Sequence, residues 1–192
     1  MDEMTARRLA KSRLSEKRYR HTENVRDMAV ELAKKYGADE KKAAVAALLH
    51  DTAKELSRED MLQIIRENAI IADNAEMRPE PVWHGICAAI LARTQWGVED
   101  EEILSAIGCH TTGKEDMSLL DKVIYLADMT SAERDYPEVY YLRKVQMIDI
   151  DRAIGEALQM SLDWLAQSGK PIDPITRRAA EQYRQFVGGE AL

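Results

Sequence analysis

Helical signals run along almost the whole of this sequence, and the apolar residues that carry them are Ala, Leu, Ile, Val and Met, with a single Phe among 192 residues. Strands draw on β-branched and aromatic side chains, so this balance favours packed helices over sheets. From Glu16 to Tyr36 the residues Val25, Met28, Leu32 and Tyr36 form one apolar stripe, and Gly37 supplies a stop. Asp39 caps a helix read through AAVAALLHDTAKE, and Ser57 with Asp60 opens DMLQIIREN. RPEPVW breaks the pattern before HGICAAILARTQW, which closes at Gly97. EEILSAIGCH follows, and Ser118 then caps LLDKVIYLADM. SAERDYPEV reads as a loop, a long helix runs from about Asp149 to Ala166, and a last helix is entered through Pro174. With no repeat or linker in this order, the expected fold is all-α, one compact bundle of roughly seven to ten helices. The chain is read as a single domain over 1–192, with its core from 15 to 187.

The formal net charge is −7, which argues against a general grip on nucleic-acid backbone, since that needs clustered positive charge. A few basic residues in one pocket can still hold phosphates inside an acidic protein. Cys87 and Cys109 match no disulfide or zinc-knuckle spacing. The first eighteen residues, MDEMTARRLAKSRLSEKR, are charged throughout, and no apolar run approaches the roughly 18–20 residues that span a bilayer. The expectation is a cytoplasmic protein with a small-molecule partner, neither nucleic-acid polymer nor membrane, and with a homodimer left open.

The four histidines and two aspartates carry the chemistry. His21 shares a helix face with Val25, Met28 and Leu32, and His50 ends an Ala-rich run (Ala43, Ala46, Ala47) with Asp51 directly after it. His84 opens one helix, His110 closes another, and Asp128 interrupts the apolar run VIYLADM. Taken singly, an inward histidine is ordinarily a satisfied core residue. A carboxylate within an apolar run, however, requires a cation, hydrogen bonds or protonation. Several inward His and Asp residues from different helices are what a nitrogen–oxygen metal site needs. Without thiolates in the set, iron, manganese, or catalytic zinc, cobalt or nickel are the suitable ions. GCHTTGK, from Gly108 to Lys114, misses a phosphate-binding loop because Glu115 stands where Ser or Thr is required.

The order H…HD…H…H…D resembles that of the HD-domain metal-dependent phosphohydrolases. The strings RYRHTENVRDMAVELAKKYG, AALLHDTAKE, HGICAAILA, IGCHTTG and LADMTSAERDYPEV are similar, more narrowly, to the YqeK-like branch of symmetrical diadenosine tetraphosphate hydrolases, which bind iron. The resemblance implies that His21, His50, Asp51 and Asp128 hold a first metal, with His84 and His110 serving a second metal or substrate phosphate. It also implies symmetrical cleavage of diadenosine tetraphosphate to two ADP by a metal-bound hydroxide. Asp51 and Lys54 are the expected catalytic residues, and Arg18, Lys54, His84, His110, Thr111 and Arg134 the expected substrate contacts. An HD-type nucleotidase or nucleotide phosphohydrolase releasing inorganic phosphate is the alternative within enzymes, and a nucleotide-sensing module without turnover the alternative outside them. The segment from Ile172 to Arg178 is a candidate to close over a nucleotide, and helix entry through Pro174 accounts for the same residues equally.

Overall fold

The computed structural model describes residues 1–72 and 74–188. Among them the chain forms α1 (Glu3–Arg13), α2 (Glu16–Tyr36), α3 (Glu40–Leu49), α4 (Arg58–Glu67), the single turn α5 (Ala69–Ala72) and α6 (Trp83–Thr94). There follow α7 (Glu101–Cys109), α8 (Leu119–Thr130), α9 (Val139–Val145), α10 (Ile150–Gln167) and α11 (Pro174–Tyr183). The described residues contain no strand, so the all-α expectation holds.

Local sequence sets most of these boundaries. Asp39, Asp100 and Asp149 accept backbone N–H bonds from the first turns of α3, α7 and α10. Ser118 and Asp121 close a reciprocal capping box on α8. Each such bond satisfies a donor that the helix itself leaves unpaired. Gly37 ends α2 at φ 78°, a left-handed conformation that costs glycine little. Ser15 precedes α2 without capping it by its side chain; its N–H and hydroxyl donate to Glu55 instead.

Two readings need correction. The α3 helix does not run through HDTAKE but stops at Leu49. Beyond it the chain tightens into i→i+3 turns, with Thr52 N bonded to Leu49 O and Lys54 N to Asp51 O. The tighter turn brings Asp51 and Lys54 close beneath the helix end. Helices α1 and α9 also lie where no helix is expected: α1 is dominated by charged residues and buries only Ala6 and Ala10, and α9 spans only seven residues.

At the centre lies α3, in which every residue from Ala43 to Leu49 is buried. A helix apolar on all sides belongs in an interior, and its alanines let α1, α2, α7 and α8 pack against it. Leu48, Leu49, Leu32, Ile124 and Leu126 fill the surrounding core, each fully buried side chain stabilising by roughly 1.5–3 kcal/mol. α6 pairs with α7, and α10 joins α8 to α9 and α11. This arrangement brings the C-terminal ends of α3 and α7 to the N-terminal end of α6, beside the second turn of α2 and the last turn of α8.

Candidate metal centre

Each histidine reaches the centre for a stated local reason. His50 and His110 are the C-caps of α3 and α7, and His84 is the second residue of α6. All three use the same device: Nδ1 sits beside the carbonyl oxygen three residues earlier. His50 meets Ala47 O at 2.6 Å, His110 meets Ile107 O at 2.7 Å and His84 meets Pro81 O at 2.9 Å. A carbonyl only accepts, so Nδ1 carries the proton and Nε2 presents its lone pair. His21, inside α2, meets the Glu133 carboxylate through Nδ1, and its Nε2 turns inward as well.

Asp51 stands between the imidazoles. Its Oδ2 lies 3.7 Å from His50 Nε2 and 3.9 Å from His21 Nε2. Its Oδ1 lies 3.2 Å from His84 Nε2 and 3.7 Å from His110 Nε2. Asp128 Oδ1 lies 3.1 Å from His21 Nε2, and its side chain is 18% exposed, more open than an aspartate within an apolar run suggests. His21, His50 and Asp51 place one atom each within 4.8 Å of one another, as do Asp51, His84 and His110, and His50, His110 and Asp128.

The donors fit a divalent cation. His50 Nε2 is buried and lacks a hydrogen-bond partner, a costly condition unless an ion satisfies it. The Nε2 atoms of His84 and His110 face each other at 3.1 Å, an approach of two lone pairs that positive charge relieves, and the Lys54 ammonium lies 3.2 Å from His84 Nε2. The C-terminal ends of α3 and α7 add partial negative charge on the same side. No thiolate competes: burial pushes the Cys87 thiol up to about 12, and burial with Asp121 pushes Cys109 up as well.

Electrostatics follow the same geometry. Burial lowers His50 and His84 to about 4, so both are neutral and ready to ligate near pH 7. Burial also works against charge on His21, but Asp128 and Glu133 outweigh it and raise its pKa. For Asp51, the neighbouring histidines overcome burial and hold the carboxyl well below the ordinary carboxylate range. Asp128 is held down likewise, chiefly by His21, against its own desolvation.

The expected basic residues lie beside the cluster. Arg18 Nη1 donates to Asp51 Oδ2 at 3.2 Å. Lys54 Nζ lies 3.2 Å from His84 Nε2, and burial lowers its pKa. Arg134 holds Asp128 at two points, Nη2 to Oδ1 at 2.6 Å and Nε to the backbone oxygen at 2.9 Å. Thr111 follows His110, and its hydroxyl is buried without a partner. Lys114, in the glycine loop, pairs with Asp121 at 3.0 Å, so Asp121 serves the start of α8. Trp83 is buried with its Nε1 donating to Arg78 O, and Tyr125 is likewise core.

The sequence reading missed Glu133 and its supports. Asn24 Nδ2 donates to Glu133 Oε2 at 2.6 Å, and the Ser131 hydroxyl to Oε1 at 2.8 Å. Asn24 lies three residues after His21 on one helix face, a signal available in the sequence. Glu133 lies in a loop, where no period gives direction.

Comparison with known proteins agrees with this geometry. A family model described as HD domain matches residues 18–133. The chain is 40% identical over 166 residues to a protein from Bacillus subtilis (strain 168) named bis(5'-nucleosyl)-tetraphosphatase, symmetrical, covering 86% of this chain and 89% of that one. A protein of the same name from Staphylococcus aureus (strain NCTC 8325 / PS 47) is 35% identical, covering 84% of each. A crystal structure from Clostridium acetobutylicum, described as a predicted HD superfamily hydrolase involved in NAD metabolism, superposes with a TM-score of 0.90. That pair shares 32% identity across 96% of this chain and 98% of the other. With the His, His-Asp and Asp residues gathered at one centre and the family model spanning them, the chain belongs to the HD domain family.

Proposed function

We propose that this protein is a metal-dependent hydrolase of dinucleoside tetraphosphates that cleaves diadenosine tetraphosphate symmetrically into two ADP. The carrying observation is Asp51, whose two oxygens face two separate pairs of imidazoles. The names of the tetraphosphatase relatives supply the substrate.

His21, His50, Asp51 and Asp128 would hold a first cation, and Asp51, His84 and His110 a second cation or the substrate phosphate. Iron is the proposed ion, consistent with the all nitrogen–oxygen donor set, which manganese, cobalt, nickel or zinc also suits. A bound cation supplies Lewis acidity, lowering the pKa of water and drawing charge from phosphoryl oxygens. Lys54 Nζ and the Arg18 and Arg134 guanidiniums offset the negative charge of the tetraphosphate chain and orient it. The backbone oxygens of Ala47, Pro81 and Ile107 orient His50, His84 and His110 through Nδ1, and Asp51 presents one oxygen to each pair of imidazoles. The Glu133 carboxylate keeps the His21 proton on Nδ1. The acidic surface and small, cation-lined centre favour a free nucleotide in the cytoplasm over a polymer.

Chromatography of the products from diadenosine tetraphosphate tests this reading. ADP as the sole nucleotide product, lost in Asp51→Ala, is the expected outcome. Release of inorganic phosphate from mononucleotides, with the tetraphosphate left intact, contradicts it and favours a nucleotidase.

A further inference from the structure

Beside the metal centre, the loop after α8 and one side of α10 enclose a cavity of about 790 Å³, bounded by Met129, Arg134, Tyr136, Met160 and Trp164. Resting on the hydrolase reading above, we propose that this cavity is a nucleoside subsite. It takes the base and ribose of one half of the dinucleoside tetraphosphate, with the base stacked on the Trp164 indole.

Continuity with the metal centre is the first argument. Arg134 lines the cavity, and its Nη2 donates to Asp128 Oδ1 at 2.6 Å. Met129, on the same wall, is the residue after Asp128. Arg134 therefore reaches from the cavity wall to the Asp128 carboxylate. The volume also falls within the roughly 300–1,000 Å³ usual for small-ligand sites.

The lining chemistry suits a nucleoside. Trp164 is 56% exposed, although α10 has a core face available for large apolar side chains. The Lys170 ammonium lies over the indole, 4.1 Å from its centroid, and so covers one ring face. The Tyr136 hydroxyl donates to Met129 O at 2.9 Å, which fixes that ring at the wall. Asp163 and Gln167 add an acceptor and an amide, groups that can meet the hydrogen-bonding edge of a purine. Residues 172–178 line none of this cavity. Asp173 caps α11 and binds Arg78 at 2.7 Å.

Substitution at Trp164 tests the subsite, because an exposed indole can be removed without opening the core. Trp164→Ala is expected to raise the KM for diadenosine tetraphosphate by on the order of ten-fold or more, with Trp164→Phe in between. Inhibition by inorganic tripolyphosphate, a phosphate chain without bases, is expected to stay unchanged. An unaltered KM, or a parallel loss of tripolyphosphate inhibition, overturns the subsite. Should the wild type leave the tetraphosphate intact, the hydrolase reading fails separately. Equilibrium dialysis of ADP against the metal-loaded protein then decides. Weaker binding by Trp164→Ala than by wild type supports the subsite, and equal binding overturns it.

Discussion

Around His21, three side chains from two parts of the chain converge on one ring nitrogen's partner. Glu133 accepts from His21 Nδ1, and Asn24 and Ser131 hold Glu133 in turn. Partners of this kind fix the orientation and basicity of a ligating imidazole, and removing one typically costs about 10–100-fold in metal affinity. Glu133→Ala is therefore expected to weaken metal binding by that order, measured by competition with a chelator. Glu133→Gln is expected to lose less, since its amide oxygen still accepts from Nδ1 without supplying charge. Unchanged affinity in Glu133→Ala contradicts the positioning role. At this scale the four histidines, Asp51 and Asp128 were legible in the sequence because each shares, opens, interrupts or ends an apolar helical pattern. Glu133 was not, because a loop residue's direction depends on tertiary packing.

Among the elements, α6 and α7 meet where a side chain would obstruct them. A Cβ added at Gly85 would lie 3.1 Å from both Cε1 and Nδ1 of His110, and 3.3 Å from Ile107 O. That carbonyl is the one that orients His110. Gly85→Ala is thus expected to displace the His110 ring while leaving the fold intact. Metal affinity or turnover should fall by on the order of ten-fold, with little change in circular dichroism. Wild-type affinity and turnover in the variant would show that the close approach is dispensable. Helix caps were the most readable element signals: Asp39, Ser57 and Ser118 each cap the helix expected of them. The end of α3 was less readable, because alanine, lysine and glutamate after Asp51 all favour helix. Only the packed structure shows the chain tightening there to deliver Asp51 and Lys54.

For the whole molecule, folding forces neutral imidazoles into one interior, and stability without metal must depend on pH. Burial lowers His50 and His84 from an ordinary 6.5 to about 4. Between those values the unfolded chain binds protons that the folded chain refuses, so stability falls as pH drops from 6.5 towards 4. His21 is shifted upward, so its stabilisation is lost only as pH rises above 6.5 and is essentially complete across this window, where it does not offset the two lowered groups. The Tm of metal-stripped protein is expected to fall steadily across this window, and a flat profile contradicts the buried, neutral assignment. Bundle class was legible from the run of helical signals, whereas the cavity beside α10 was not, since it depends on how the loop after α8 sits against a distant helix. The most direct test of the metal centre is element analysis of protein purified without added metal, paired with turnover of diadenosine tetraphosphate before and after chelation. A bound first-row divalent metal, ADP as the only product, and loss of both metal and turnover in Asp51→Ala are the predicted result. Full turnover by metal-free protein, or an Asp51→Ala variant that keeps its metal and activity, would contradict it.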